Sequence, residues 1–319
     1  MIRRLRQMGT LIGLIVIVAV FTLRLPGTFL TPGNLINISQ QVSMLAVVAF
    51  TMTVVMVMTD FDLSVGSTAS LAGIVAAVLF AQGAPVWAGI AAALGVGLLG
   101  GAVNGALVAV LGILPFVATL GTLTIFSGLA FYISDGSTIF GRDIPKPFSD
   151  FARGGLPLDA VGLAGLKLPN LSLLALAVLV IIWVMLEHTT YGRRLYAIGG
   201  NIEAARLAGL RVRRLRLSAF AITGLGAAVA GLMYASRVAS ANPTQGAGLM
   251  LDAIAAVFLG MTMGREGEPR VLATCVGVLF LGILDNGLTQ MQVDSYVREM
   301  LVGTIVVAAV ATSSFGRRV

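Results

Sequence analysis

Charged residues, cysteine and histidine are all scarce in this 319-residue sequence. Charged side chains make up 11% of the chain, whereas a soluble domain usually carries roughly 25%. So few charges cannot cover a surface that faces water, which excludes a soluble globular protein. The single cysteine, Cys275, lies in an apolar run and excludes an intrachain disulfide. The single histidine, His188, and the scattered acids leave no cluster for a metal site or for a membrane hydrolase.

A phosphate-binding loop is also missing. No Gly-rich segment followed by Lys and Ser or Thr occurs, so the chain does not bind ATP in the P-loop manner. The net charge of +7 could suggest nucleic acid, but the bias of Lys and Arg toward cytoplasmic loops explains it in an apolar chain. We therefore predict no catalytic residue, no metal, no cofactor bound by this chain and no nucleic-acid partner.

Apolar runs fill most of the sequence, since 57% of its residues are hydrophobic. Several runs approach the ~20 apolar residues that span a ~30 Å hydrocarbon layer. We predict an all-α polytopic membrane protein, with residues 1–319 forming a single lipid-embedded domain. No convincing cleavage site follows the basic N-terminus, so we interpret the first run as a span and not as a signal peptide. The ten predicted spans are 9–25, 42–58, 65–82, 86–110, 114–133, 170–186, 217–236, 251–263, 271–288 and 297–313.

The arginines predict the orientation of these spans. If Arg3, Arg4 and Arg6 hold the N-terminus in the cytoplasm, ten crossings return the C-terminus to the same side. The same parity places the 187–216 loop, which holds seven of the 21 basic residues, inside. The 134–169 loop, the longest hydrophilic connection, falls outside. Parity and the positive-inside bias therefore agree on ten spans with cytoplasmic termini.

A short sequence echo suggests an internal repeat. "GAVNGAL" and "GILDNGL" place Asn104 and Asn286, each followed by glycine, toward the ends of predicted spans four and nine. Spans five apart run in opposite directions, so the match fits two inverted repeats with a shared site near their interface. Because Asn-Gly is a common dipeptide, the echo alone leaves the repeat open.

A stripe of glycines spaced four apart marks the fourth span. Gly97, Gly101 and Gly105 would lie on one helical face. Small residues at this spacing let a second helix approach closely in lipid. We interpret the stripe as a packing surface and not as a functional site.

Polar side chains within the spans allow two interpretations. Thr119 and Thr122 share one helical face and, with Asn104 and Asn286, could line a weakly polar path for a neutral, hydroxylated solute. Alternatively, the threonines bond back to carbonyls of their own helix. The sequence does not decide between the two.

Acidic residues beside apolar runs are a third polar feature, because a carboxylate in a bilayer is costly. Asp60 and Asp62 begin a helix-boundary motif that also contains Ser64 and Gly66. We predict a turn at the cytoplasmic boundary, with Asp62 capping the helix that follows. Asp285 lies deeper in its span and keeps a proton-coupled mechanism open.

The 187–216 loop contains a short helix pattern. Asn201 is a favoured N-cap residue and Gly209 suits the position just past a helix end. Between them, Glu203 and Arg206 are three apart and can pair on one face. Such a slim helix could dock in a groove of another protein, or lie at the membrane surface with its arginines on lipid phosphates. The residues alone favour neither.

Five stretches together carry a family resemblance: "GGNIEAARLAGLRV", "DFDLSVGS", "NGALVAVLGILPFVATLGTLTIFSGLAFYISDG", "TTYGRR" and "LGILDNGL". They resemble the ribose/xylose/arabinose-type permease subunits of bacterial ABC sugar importers, and the likeness runs from about residue 30 to 313. Two details depart from the usual pattern. Phe61 stands where Ile is common, and "MTMGREGEPR" differs from the more common Gly-rich turn.

The resemblance implies a multi-pass permease of the bacterial inner membrane that is not itself an enzyme. Its implied partners are a second permease subunit, in a homodimer or heterodimer, two cytoplasmic ABC ATPase subunits that hold ATP and Mg, and a periplasmic sugar-binding protein. The implied cargo is a monosaccharide, a pentose or a related small sugar. The implied ATPase-coupling residues are Gly200, Asn201, Glu203, Ala204, Ala205, Arg206, Leu207 and Gly209. The alternatives are a proton-coupled sugar carrier that uses Asp285 and, less favoured, a membrane-embedded enzyme.

Overall fold

The computed structural model describes residues 9–159, 162–263 and 267–315, and these residues form a bundle of α-helices. The helices are α1 (Gly9–Arg24), α2 (Pro32–Met56), α3 (Val65–Ala81), α4 (Val86–Ala109), α5 (Pro115–Ile133), α6 (Lys146–Arg153), α7 (Asn170–Trp183), α8 (Thr190–Gly200), α9 (Ile202–Leu207), α10 (Val212–Val238), α11 (Leu249–Met261), α12 (Val271–Gln290) and α13 (Ser295–Phe315). A π-helical turn, Val184–His188, continues α7. The orientation was predicted from Arg3, Arg4 and Arg6, which lie outside the described residues. The same holds for three other arginines expected on the cytoplasmic side, Arg265, Arg317 and Arg318.

Among the described residues, six helices are long and apolar enough to cross a membrane: α2, α4, α5, α7 with its π-helical turn, α10 and α12. Three shorter apolar helices, α1, α3 and α11, accompany them. A helix lies at each of the ten predicted intervals, although α2 begins at Pro32, well before the predicted start. The prediction of an all-α, multi-pass membrane protein is confirmed.

In the part of the chain that the structure describes, four very short strands depart from the all-helical expectation. β1 (Ile139–Phe140) pairs antiparallel with β4 (Ser240–Ala241), and β2 (Gly155–Pro157) pairs antiparallel with β3 (Lys167–Pro169). With α6, β1, β2 and β3 give regular structure to described parts of the 134–169 segment, which was predicted only as a hydrophilic loop. The β1–β4 pair also ties this segment to the chain that follows α10.

α2 forms the centre of the bundle. Its residues from Val42 to Met56 are buried almost without a break, and it contacts α7, α10, α11 and α12. A helix that is apolar on all sides is expected at such a central position. The segment that follows Met56 therefore begins in the interior of the bundle.

α4 and α10 pack antiparallel with their backbones in close contact. A methyl group placed on Gly97 would collide with the carbonyl oxygen of Gly224, and one on Gly101 with that of Phe220. Gly105 lies against the backbone of Leu217. The predicted packing role of the glycine stripe is confirmed. This pairing also places the last turn of α4 beside the start of α10, at the end of the bundle that holds α8 and α9.

α11 and α12 are also antiparallel, because Gly277 lies against Ala256 and Gly260 against Ala273. The Tyr196 hydroxyl of α8 donates to the carbonyl oxygen of Pro269 at 3.0 Å, which fixes the start of α12 at the α8–α9 end. A 20-residue helix spans about 30 Å. The last turn of α12 therefore lies at the opposite end of the bundle.

Candidate functional site

The segment 57–64, between α2 and α3, holds a buried carboxylate. Asp62 is 1% exposed, and its Oδ1 accepts from the Ser64 amide at 2.9 Å and from the Ser64 hydroxyl at 2.6 Å. This is an Asx turn, in which an Asp side chain bonds the backbone two residues on. The residue at the N-cap of α3 is Ser64, so the prediction that Asp62 caps the helix was wrong. The carboxylate instead orders the turn just before it.

Asn104 of α4 joins this turn to α5. Its Nδ2 donates to Ser64 Oγ at 2.8 Å and approaches Asp62 Oδ1 at 3.4 Å. The Thr122 hydroxyl donates to Asn104 Oδ1 at 2.6 Å. The structure thus brings together two sets of residues that the sequence had suggested separately, the helix-boundary motif and three of the four suggested path residues.

Thr119, the third of these, bonds back to its own helix through the carbonyl oxygen of Pro115 at 2.8 Å. Its hydroxyl also lies 3.4 Å from the carbonyl oxygen of Phe61. Asn104, Thr119 and Thr122 are all buried. In this conformation the three side chains satisfy one another and the backbone.

A buried ion pair fixes the same segment to α10. Arg216 Nη2 lies 2.6 Å from Asp60 Oδ1, with the two side chains 20% and 3% exposed. Arg216 stands one turn into α10, shortly after the predicted coupling helix. The pair was not predicted, because its members are far apart in sequence and Arg216 looks like one of several loop arginines.

α8 contacts the start of segment 57–64 through its backbone. A methyl group on Gly199 would collide with the carbonyl oxygen of Val57. Leu195 and Ile198 are buried on the same helix. The prediction of a loop for this stretch was wrong, because Thr189 accepts from the Gly192 amide as the N-cap of a helix. A helix, α8, therefore connects the predicted coupling helix to segment 57–64.

α9 has the predicted boundaries. The Ala204 amide donates to Asn201 Oδ1 at 3.0 Å, and Gly209 has a φ of +80°. The Gly209 and Leu210 amides donate to the carbonyl oxygens of Arg206 and Ala205, which is the Schellman pattern. The short helix is thus closed at both ends.

The two faces of α9 differ in character. Ala205 is buried against the bundle. Leu207 is 88% exposed, and Glu203 pairs with Arg206 at 3.1 Å on the outside. An almost fully exposed leucine next to this ion pair suits insertion into an apolar groove of another protein.

Tyr196 anchors α8 to the segment before α12. Burial, followed by the charge of Glu187, raises the pKa of its hydroxyl above the ordinary value of 10. The hydroxyl therefore stays protonated at neutral pH and keeps its hydrogen bond to Pro269.

The start of α3 lies against the residues just before α11, so that two short helices begin close to one contact. A methyl group on Gly66 would collide with the carbonyl oxygen of Gly246. Ser70 Oγ accepts from the Gly246 amide at 2.9 Å. The sequence analysis had singled out Gly66 but not its partner.

Asn286 lies in a different cluster, at the opposite end of the bundle from Asn104. Its Oδ1 accepts from Asn34 at 3.1 Å and from Gln290 at 2.9 Å. The structure therefore does not gather the two asparagines into one site. Gln290 lies one turn further along α12, whereas Asn34 lies on α2, a contact between distant residues that the sequence did not suggest.

Asp285 is held by a cation in this second cluster. Its Oδ1 lies 2.6 Å from Arg298 Nη1, and its Oδ2 accepts from Gln41 at 2.6 Å. Both oxygens of the carboxylate are therefore occupied by contacts within the described residues.

Comparison with known families decides the class of the molecule. The family described as "Branched-chain amino acid transport system / permease component" matches residues 34–310. The chain belongs to this family. Its members are permease components of transport systems and not enzymes.

Curated relatives cover nearly the whole chain. The ribose import permease protein of Bacillus subtilis (strain 168) is 36% identical over 309 residues, which cover 96% of this chain and 92% of that protein. The ribose import permease protein of Escherichia coli (strain K12) is 36% identical over 310 residues, 96% of this chain and 93% of its own. The D-allose transport system permease protein of the same strain is 34% identical over 306 residues, which cover 95% of this chain and 90% of that protein. No solved structure matches. The resemblance first drawn from short motifs is confirmed.

Proposed function

We propose that this permease is the membrane subunit of an ATP-driven importer that carries a monosaccharide, a pentose or a related small sugar, into the cytoplasm across the bacterial inner membrane. The relatives named for ribose and allose support the class of cargo. The observation that carries the mechanism is the doubly capped helix α9, with its exposed Leu207, at the end of the bundle where the buried Asp60–Arg216 pair lies.

Ten crossings, two inverted repeats and cytoplasmic termini belong to the same proposal. The helix pairs α3–α4, α3–α10 and α4–α10 have counterparts in α11–α12, α11–α2 and α12–α2. This recurrence is expected if α2, α3 and α4 correspond to α10, α11 and α12. Short helices at corresponding positions of two repeats often mark the transport site. α3 has 17 residues and α11 has 13, so the Gly66–Gly246 contact is the proposed centre of that site.

The coupling pathway runs from α9 into the bundle in three steps. An ATPase that grips Leu207 and the Glu203–Arg206 pair moves α9 and, through the backbone, α8 and the start of α10. Gly199 transmits the displacement to Val57, and the Arg216 ion pair transmits it to Asp60. Segment 57–64 then moves with the coupling helices.

Partners and cargo path complete the proposal. The ATPase pair holds ATP and Mg, and this chain binds no cofactor. A periplasmic sugar-binding protein docks at the end of the bundle that carries the 134–169 segment, and a second permease subunit encloses the path. Asn104, Thr119 and Thr122 would face the solute near the cytoplasmic end after the buried network opens, and Asn286 near the external end. The carboxylate of Asp285, already held by Arg298, argues against the proton-coupled alternative.

Reconstituted transport tests this proposal. The full chain is placed in vesicles with a cognate ABC ATPase and a sugar-binding protein, and uptake of radiolabelled ribose, xylose and allose is measured with and without ATP. We expect uptake that requires ATP and persists when an ionophore removes the proton gradient. Uptake driven by a proton gradient alone would refute the importer.

A substitution on α9 tests the coupling role. Leu207→Ser should reduce ATP-dependent uptake at least tenfold while leaving the protein folded, since an apolar anchor buried on docking contributes about 1.5–3 kcal/mol. Leu111→Ser is the matched control, because Leu111 is also exposed, at 68%, and follows α4 at the same end of the bundle. Equal uptake by the two variants would exclude α9 as the coupling element.

A further inference from the structure

A cavity of about 690 Å³ opens between the end of α7 and the start of α12. Binding sites for small molecules usually measure roughly 300–1,000 Å³. The lining residues are Trp183, Glu187, Met263, Arg270, Leu272, Ala273 and Val276. None of them belongs to the buried network or to the coupling helix, so the cavity needs a separate explanation.

Two opposite charges stand at this cavity without bonding each other. Glu187 lies in the π-helical turn and Arg270 directly precedes α12. No ion pair within 4.0 Å joins these two described residues. Both charges, together with that of Glu268 outside the lining, act on the hydroxyl of Tyr196, so Glu187 and Arg270 belong to one polar region. A ligand with one positive and one negative group would complement them.

The other walls of the cavity are apolar and continue along two helices that are apolar enough to cross a membrane. Val180 precedes Trp183 by three residues and is 47% exposed, and Leu279 follows Val276 by three residues and is 37% exposed. Residues three apart share a helical face. The apolar lining therefore extends from the charged region along surface available to hydrocarbon.

Trp183 is the last residue of α7, which with its π-helical turn is apolar enough to cross a membrane. His188 packs edge-on against its indole, with the ring centroids 4.5 Å apart. Tryptophan is enriched where hydrocarbon meets headgroups, because its ring is apolar and its N–H is polar. The charged residues of the cavity are thus at headgroup depth and its apolar extension at acyl-chain depth.

We propose that the cavity binds one phospholipid with a zwitterionic phosphoethanolamine headgroup. Arg270 takes the phosphate, Glu187 takes the ammonium, and the acyl chains lie along Val180 and Leu279. Guanidinium groups bind phosphate through paired hydrogen bonds. A purely anionic headgroup would leave Glu187 without a partner, and a soluble ligand would not use the apolar extension.

Trp183 provides the reporter for a direct test. The chain has two tryptophans, and the other, Trp87, is 73% exposed at the start of α4. In the full-length Trp87→Phe variant, fluorescence comes from Trp183 alone. Phosphatidylcholine vesicles are doped with phosphatidylethanolamine or phosphatidylglycerol whose acyl chains carry bromine, a short-range quencher. We expect quenching at lower mole fractions of the ethanolamine lipid than of the glycerol lipid.

Substitutions at the cavity should remove this preference. Arg270→Gln should weaken the apparent affinity for brominated phosphatidylethanolamine about tenfold, the loss expected for one hydrogen bond between charged groups. Glu187→Gln should make the two brominated lipids quench alike. Arg213→Gln, which changes an exposed arginine of α10, should leave the preference intact. Size-exclusion elution checks that each variant is folded. If Arg270→Gln does not fold, the result for Glu187→Gln alone tests the lipid preference.

Three results would overturn the proposal. One is equal quenching by the two brominated lipids in the Trp87→Phe protein. Another is an unchanged preference after Glu187→Gln in a folded protein. The third is full relief of quenching by soluble phosphoethanolamine, which would identify a water-soluble ligand. The assay needs neither ATP nor a transported sugar, so its outcome is independent of the proposed import function.

Discussion

Removing the cation from the Asp60–Arg216 pair should destabilise the protein strongly. Arg216→Met would leave the Asp60 carboxylate, only 3% exposed, with no counter-charge 2.6 Å away. Breaking a buried ion pair on one side costs about 3–5 kcal/mol. Asp60→Asn should cost less, about 1–3 kcal/mol, because the remaining guanidinium can turn toward water and an amide oxygen can still accept its hydrogen bond. Because Asp60 is more deeply buried than Arg216, we expect Arg216→Met to destabilise the protein more than Asp60→Asn does.

A double-mutant cycle separates the pair from its surroundings. Apparent melting temperatures are measured in detergent for both single variants and for Asp60→Asn/Arg216→Met, with Arg213→Met as the control for loss of an exposed arginine on the same helix. We expect Arg216→Met to lower the melting temperature by on the order of 10 °C, and the double variant to lose less than the sum of the singles. Additivity within about 0.5 kcal/mol, or equal effects of Arg216→Met and Arg213→Met, would refute the reasoning.

Two further predictions concern glycines. Gly101→Val should collide with the Phe220 carbonyl and destabilise the protein by about 1–3 kcal/mol. Gly95→Val is the control, because no atom lies within 4 Å of the added carbon. Thermal melting should separate the two variants, and equal melting temperatures would contradict the α4–α10 contact. Gly209→Ala should destabilise the protein by about 1 kcal/mol, because the φ of Gly209 is +80°. Gly200→Ala should not, because Gly200 has no positive φ and no atom lies within 4 Å of the added carbon. Limited proteolysis of the 187–216 region should be faster in Gly209→Ala only.

Local and one-dimensional features could be predicted from the sequence. Apolar runs located the helices because a span must be nearly continuous in sequence, and Asn201 with Gly209 located α9 because caps act within one turn. The glycine stripe of α4 predicted close packing because its spacing places the residues on one face. α8 was missed because Arg193 and Arg194 made a short amphipathic helix look like a charged loop.

Contacts between distant residues could not be predicted from one sequence. Asp60 and Arg216 are 156 residues apart, and Asn104 is 40 residues from Ser64. Whether an arginine reaches a buried acid depends on how entire helices pack. Neither residue carries a local sequence pattern that would indicate this packing. Asn104 and Asn286 illustrate the opposite error, since a shared dipeptide suggested one site and the antiparallel packing placed the two residues at opposite ends.

The way α9 is joined to segment 57–64 limits how the permease can move. A glycine backbone contact at Gly199 and a buried ion pair at Asp60 cannot lengthen by side-chain rotation, because one has no side chain and the other would expose an unpaired charge to the interior. A displacement of α9 must therefore either carry segment 57–64 with it or break contacts that cost several kcal/mol. Asp62 lies in that segment and bonds Ser64, which bonds Asn104. We therefore expect movement imposed at α9 to reach the start of α3 and the end of α4 together, next to the Gly66–Gly246 contact.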